Sequence, residues 1–285
     1  MFVFADKSRE NELIEIWQQS FGDSEEYIRM FFEWNLSKTM VIVYEVDGKA
    51  VSVAYLLPVT YERAGQKAVS CWYLYAAATL PEFRGRGYFG EIVKVVREEV
   101  AEPVILVPGG ASLVSYYEKQ GMKVWLEEQY LDINTYAEKT SAKYKNDDRV
   151  QGRIKELTAE EYAVKREKTL AGTSYIKWDE HFMNYICHEN NVCGGAQKAV
   201  TVENIEFIVM YRIEGSILKV LEILPQDICL KQLNFLDMKK LKACVQLLLR
   251  ETGCKKAYVC LNPTVMATDK LKLSVNQGYF NLTMG

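Results

Sequence analysis

The spacing of apolar residues divides the chain into stretches of helical and of strand period. In SRENELIEIWQQSFG, Leu13, Ile14 and Trp17 fall on one helical face and Gly22 closes the segment, which predicts an amphipathic helix. DSEEYIRMFFEWNL follows, with Asp23 and Glu26 placed as a capping box and Ile28, Phe31 and Phe32 on one stripe. A second helix with an aromatic face is expected there. Such a face is core more often than substrate pocket, and the two uses can coexist. From Met40 the period drops to two. MVIVYEV and KAVSVAYLL flank Asp47-Gly48, the turn chemistry of a hairpin. VTYER and AVSCWYLYAAAT extend it into an antiparallel meander, with Pro58 marking an edge or a bulge. A glycine-rich turn, a helix from about residue 87 to 101, the strand VILVP, the helix ASLVSYYEKQ closed by Gly121, and strand material through VWLEEQYLDI complete this half.

EKTSAKYKNDDRV, residues 138–150, is polar and reads as a linker. Beyond it the pattern repeats. Helical stretches near 159–170 and 178–189 precede the strands KAVTV, IEFIVMYRI and ILKVLEILP, the helix FLDMKKLKACVQLLLRET, the strand KKAYVCLNP and the helix TDKLKLSVNQ. Arg97-Glu98 and Arg250-Glu251 close the long helices, Pro108 and Pro263 end the strands that follow, and Gln120-Gly121 and Gln277-Gly278 close the last helices. Their common order points to an internal duplication, with domains at 1–137 and 151–285.

With 49% hydrophobic residues over 285, the chain can bury a real core. Its 35 basic and 38 acidic side chains leave a net charge of −3, and no Lys/Arg block stands out, which argues against a nucleic-acid partner. The N-terminal stretch carries charges from Asp6 onward, and no apolar run reaches the roughly 18 residues of a membrane span, so a soluble, cytoplasmic protein with no membrane partner is expected. Seven scattered cysteines fit reduced thiols better than a disulfide framework. His181 and His188 lie near Cys187 and Cys193, but the spacing matches no paired zinc motif, and no metal is expected.

LPEFRGRGYFG, residues 80–90, packs three glycines into six positions between a strand and a helix. Such a turn presents unpaired amides at the positive end of a helix, which suits a phosphate. No G-K-[ST] follows, so a Walker loop is excluded, and a tight β-to-α turn with solvated arginines is the plainer alternative. The run Arg84-Gly85-Arg86-Gly87-Tyr88-Phe89 resembles the Q/R-x-x-G-x-G/A motif of the GNAT superfamily of acetyl-CoA-dependent N-acetyltransferases, and the element order of residues 1 to about 135 is similar to that family's. The resemblance implies an α/β (α+β) tandem GNAT-like acyl-CoA N-acyltransferase fold, a mixed, largely antiparallel sheet flanked by helices, in two copies. It implies that the turn's amides, through Gly90, hold the pyrophosphate of acetyl-CoA, and that Ala77, Ala78 and Thr79 hold its pantetheine arm. Phe89 stands where the family has Gly or Ala. A bulky residue there also occurs in tandem-GNAT enzymes similar to the enhanced-intracellular-survival acetyltransferases.

Tyr117-Glu118-Lys119-Gln120-Gly121-Met122 resembles the family's Y-E-x-x-G-F, whose Tyr protonates the departing thiolate, and Ser112 matches a position that often contacts the cofactor. Packing of Tyr117 near Leu113 is the structural alternative. Direct attack of a neutral amine on the thioester needs a base or a water chain. SCWYLYAAAT holds no carboxylate, which leaves Glu33 and the C-terminal carboxylate, the base in the survival branch, as candidates. Covalent catalysis through Cys71 is disfavoured, because an apolar strand raises a thiol's pKa. In the second copy the counterpart of the turn, LPQDICLKQLNF, has no glycine, and Ser274 replaces the tyrosine. That copy is expected to be degenerate, covering a sheet edge or walling the acceptor pocket. The expected function is transfer of acetyl to a primary amine of an unidentified acceptor. A non-catalytic acyl-CoA sensor, or an aminoacyl or long-chain acyl transferase compatible with the stripe Phe31, Phe32 and Trp34, is the alternative.

Overall fold

The computed structural model describes residues 1–131, 151–226, 235–270 and 279–280. The expected linker at 138–150, the position Ser274, the pair Gln277-Gly278 and the C-terminal carboxylate lie outside these residues. Two units are formed: Met1–Glu127 with Ile176–Trp178 and Thr264–Gly278, and Glu128–Tyr175 with Asp179–Pro263 and Tyr279–Gly285.

In the first unit, β1 (Phe2–Ala5) precedes α1 (Glu10–Phe21), which buries Leu13, Ile14, Ile16 and Trp17 and ends at Gly22 in the left-handed conformation, φ 78°. Helix α2 (Glu25–Asn35) buries Ile28, Phe31 and Phe32. Its cap is Ser24, whose hydroxyl accepts from the Tyr27 N–H, and not the Asp23–Glu26 box; Asp23 instead accepts from Trp17 Nε1 at 2.8 Å. Strand β2 (Met40–Val46) turns through Asp47 and Gly48, φ 50° and 77°, into β3 (Lys49–Glu62). Two positive φ values in a two-residue loop match the twist of the hairpin.

Strand β3 runs unbroken through Pro58, where the sequence led us to expect two strands. Pro58 is opposite Trp72, whose N–H donates outward to Pro103, so these two backbones do not bond to each other and the missing proline donor removes no rung there. Pairing with β2 has already ended at Met40 and Leu56. Strand β4 (Val69–Thr79), helix α3 (Tyr88–Glu98), β5 (Val104–Leu106), α4 (Ala111–Lys119) and β6 (Lys123–Leu126) follow.

The second unit repeats this order. It has β8 (Gly152–Glu156), α5 (Ala159–Leu170), α6 (Glu180–Val192), β10 (Gly195–Val202), β11 (Ile205–Glu214), β12 (Ile217–Pro225), α7 (Phe235–Thr252) and β13 (Lys256–Asn262). The sheets match as well: β1-β2-β3-β4-β5 in one, β8-β10-β11-β12-β13 in the other, each antiparallel until its last pair, which is parallel. The duplication read from the sequence is therefore a duplication of fold.

Strand pairing crosses the boundaries expected from sequence. In the first sheet, β14 (Val265–Ala267) is inserted between β5 and β6, and β9 (Tyr175–Lys177) pairs with β3. Thr268 adds a hydrogen bond in each direction with Val104. In the second sheet, β7 (Gln129–Leu131) pairs with β13. Among the described residues of the expected helix TDKLKLSVNQ, Thr268–Lys270 are not helical.

Candidate active site

Strands β4 and β5 pair from Trp72–Val104 to Leu74–Leu106 and no further. Just beyond, β4 bulges: Ala76 takes φ 44°, and the register with β3 shifts between Tyr75 and Ala78. A bulge bends its strand and redirects the backbone groups that follow. The Ala78 carbonyl accepts from Ser52 Oγ at 2.9 Å and the Leu80 N–H donates to Val51, so both face β3. By the alternation of a strand, the backbone groups of Ala77 and Thr79 face the opposite side, where β5 has ended. Of the three residues singled out from sequence, Ala77 and Thr79 thus turn their backbone groups away from β3, with the Thr79 carbonyl accepting from Arg84 Nε, and Ala78 is turned into the sheet.

The turn after β4 is built around its glycines. Gly85 and Gly87 take φ 74° and 81°, and a Cβ added to either would meet nothing within 4 Å. Left-handed φ is costly for other residues. Gly87 is the N-cap of α3, with no side chain capping the helix. The ladder of α3 begins with Glu91 N–H to the Gly87 carbonyl, so the Tyr88, Phe89 and Gly90 amides precede its first rung. Open space, three such amides and the positive helix end make a place for an anionic group. Arg84 and Arg86 are exposed at its rim and help to hold the turn: Arg84 Nε donates to the Thr79 carbonyl at 3.0 Å and Arg86 to the Glu82 carbonyl at 3.0 Å. Arg86 also lies over the Phe83 ring, and Tyr88 stacks on Tyr44 at 4.8 Å.

Helix α4 ends at the motif Tyr117–Met122. Met122 N–H donates to the Tyr117 carbonyl at 3.0 Å and Gly121 N–H to Glu118 at 2.9 Å, with Gly121 at φ 83°. This is the Schellman arrangement, which explains the glycine spacing. A Cβ on Gly121 would lie 2.7 Å from the Arg97 guanidinium, whose Nη1 donates to the Gln120 carbonyl. Tyr117 is 5% exposed and belongs to the core cluster that includes Val95, Leu106, Met122 and Met266. Burial, and then the neighbouring Tyr116, push its phenol well above the ordinary tyrosine range. Tyr73 on β4 is pushed up too, by burial and by Tyr117, which brings a second phenol toward the same place. No sequence pattern marks it, since Tyr73 is one of three aromatic residues in β4. Ser112 is exposed on the first turn of α4.

The aromatic stripe of α2 is core. Phe31 and Phe32 pack with Trp17, Tyr55 and Tyr75 at centroid distances of 5.1–6.0 Å. Glu33 is exposed. Among the described residues, the buried polar side chains of this unit are Asn35, Ser52 and Thr268, none a carboxylate. Burial pushes the Cys71 thiol up to about 11, so it is protonated at neutral pH and a poor nucleophile. Among the described residues there is no group of three or more His, Cys, Asp and Glu side chains suited to a metal ion, and no helix long and apolar enough to cross a membrane.

Residues 4–125 match the family model described as an acetyltransferase (GNAT) domain. No curated protein matches the chain. Among solved structures, a probable N-acyltransferase from Enterococcus faecalis V583 is similar at 16% identity and a TM-score of 0.61, over 94% of this chain and 71% of its own. Eis1 from Mycobacterium abscessus is similar at 12% identity and a TM-score of 0.59, over 92% and 66%. A tandem GNAT protein from the clavulanic acid biosynthesis pathway is similar at 9% identity and a TM-score of 0.52, over 96% and 99%. The chain has the tandem-GNAT fold.

Proposed function

We propose, from the match of residues 4–125 to an acetyltransferase (GNAT) domain, that the protein transfers an acetyl group from acetyl-CoA directly to a primary amine. The observation that carries this reading is the turn at Gly85–Gly90, where two left-handed glycines open onto free space before an uncapped helix. A diphosphate fits such a turn because it needs several N–H donors and no intervening side chain. When bound, acetyl-CoA supplies a thioester, whose carbonyl is attacked by the amine and whose sulfur leaves as thiolate.

In this reading the amides of Tyr88, Phe89 and Gly90 and the backbone of Gly85 and Gly87 bind the diphosphate. Arg84 and Arg86 add positive charge at the rim. The outward-facing backbone of Ala77 and Thr79 receives the pantetheine amides as an added strand would, Ala78 holds that edge to β3, and Ser112 contributes to coenzyme binding from α4. Tyr117 donates its proton to the leaving sulfur. Its raised pKa keeps it protonated through the neutral range, so it is ready to act as an acid. Water takes the proton of the attacking ammonium, and water returns one to the Tyr117 phenolate. We assign deprotonation to water because the described residues of this unit bury no carboxylate.

The second unit, on this reading, has no coenzyme site of its own, since no glycine occurs between Ser216 and Thr252. The scattered cysteines, odd in number, support a cytoplasmic setting. Steady-state release of CoA from acetyl-CoA with a panel of primary amines tests the proposal, with octanoyl-CoA and myristoyl-CoA as competitors. Acceptor-dependent release, favouring acetyl-CoA, is expected. Coenzyme binding without turnover would favour an acyl-CoA sensor, and preference for a long acyl-CoA would favour the long-chain alternative.

A further inference from the structure

Phe89 belongs to both halves of the site. It is the second residue of α3, so its amide lies in the open first turn, while its ring stacks on Tyr116 at 6.1 Å and 24° and meets Tyr117 edge-on at 6.2 Å and 82°. Tyr116 and Tyr117 are themselves in edge contact at 5.4 Å. The three rings thus form one packed group, with offset and perpendicular geometries of the kind aromatic pairs prefer. The other side of α4 is fixed by Arg97 on the Gln120 carbonyl and by the Schellman bonds. Next to Phe89, a Cβ on Gly90 would come into ordinary contact with α4, 3.5 Å from Gln120 Nε2 and 3.8 Å from the Tyr116 hydroxyl. The ring of Phe89 thus links the turn directly to the ring of Tyr117.

We infer that Phe89 is a positioning residue, one that orients the Tyr117 phenol and couples its placement to the turn at Gly85–Gly90. The inference rests on the proposed acetyl transfer and adds to it the reason why a phenylalanine stands at this place. A small residue there would leave the turn's amides intact and the phenol unsupported. Misplacement of a catalytic group by about 1 Å can cost on the order of a hundredfold in rate.

Phe89→Ala should lower kcat by ten- to a hundredfold while leaving the dissociation constant of acetyl-CoA within about threefold. Phe89→Tyr, which keeps the ring, should recover most of the rate. Phe89→Leu keeps volume without the ring and should behave as the alanine variant does, which preserves the test if the alanine variant does not fold. Unchanged kcat in Phe89→Leu, or a loss confined to coenzyme affinity, would overturn the inference. A second readout is independent of turnover: the Tyr117 side chain, followed by its ¹³Cζ resonance assigned through Tyr117→Phe. In the wild type it should titrate above the ordinary tyrosine range, and in Phe89→Leu the titration should move down toward that range. An unaltered resonance and titration in Phe89→Leu would overturn the inference even if the wild type acetylates nothing, the outcome that would defeat the proposed function instead.

Discussion

The two units solve one packing problem in opposite ways. Helices α1 and α5 are both twelve residues long, and the eighth residue is Trp17 in one and Arg166 in the other. Trp17 packs among Phe31, Phe32, Tyr55 and Tyr75. Arg166, 1% exposed, donates from Nε to both oxygens of Glu222 at 3.1 Å, and Glu222 also accepts from Tyr162 at 2.6 Å and Tyr279 at 2.9 Å. Glu222 lies two residues past the last β12 residue paired to β13, the place that Ala76 takes in β4. The first unit thus fills its core with rings and keeps small residues where the strands part. The second puts a buried carboxylate there and ties it down with four hydrogen bonds. A shared fold leaves room for a ligand only where the local side chains do not fill it, which is why fold similarity alone does not make the second unit a site.

The largest expected effect comes from cutting the chain where the sequence suggested a boundary. A fragment of residues 1–137 lacks Val265–Ala267 and Ile176–Trp178, leaving β5 and β6 with open edges, and it should give no cooperative thermal transition. A cooperative fold by circular dichroism would show that those strands are dispensable. Next, Tyr117→Phe should lower kcat by about 10²–10⁴-fold, the usual share of an acid catalyst, with coenzyme affinity retained. The kcat of the wild type should not fall on the alkaline side until pH passes the ordinary tyrosine value of about 10, because burial has raised that phenol.

Matched substitutions sharpen the contrast further. Trp17→Ala should cost about 3–5 kcal/mol by leaving a cavity. Arg166→Met alone should cost about as much by stranding a buried carboxylate, measured by denaturant unfolding. Replacing the whole group, Arg166→Met with Glu222→Leu, Tyr162→Phe and Tyr279→Phe, should recover most of that loss, whereas no partner change should rescue Trp17→Ala. The smallest effect concerns thiols. Cys71 and Cys187 are held up to about 11 and about 12 by burial, above the ordinary thiol range. Their contribution to stability is complete below about pH 9 and declines as pH rises through those values, so both should resist iodoacetamide at pH 8 while the more accessible Cys254 reacts.

What the sequence disclosed was local. Gly85, Gly87 and Gly121 announced their left-handed turns because other residues adopt that conformation at a cost, and the stripes of α1 and α2 followed from helical period. The duplication was legible because turn and cap residues recur in one order. Pro58 misled, since its effect depends on which way a neighbouring N–H points. Ser24 took the cap from Asp23 because Asp23 was engaged by the Trp17 indole, a contact between helices. Strand β1, four residues long, was too short to show a period. The insertion of β14 between β5 and β6 joins residues about 160 positions apart, and no local pattern encodes such a pairing. The same holds for Arg166 with Glu222, and for the contacts of Phe89.

The central proposal is that the glycine turn of the first unit binds the coenzyme and that the second unit does not. Calorimetric titration of acetyl-CoA into the wild type and into Gly87→Glu tests it most directly. The substitution forces a left-handed φ on a side-chain-bearing residue and brings a negative charge to the uncapped helix end. We predict one site per chain in the wild type and loss of binding in the variant, with folding retained. Binding that survives the substitution, or two sites per chain, would contradict the account.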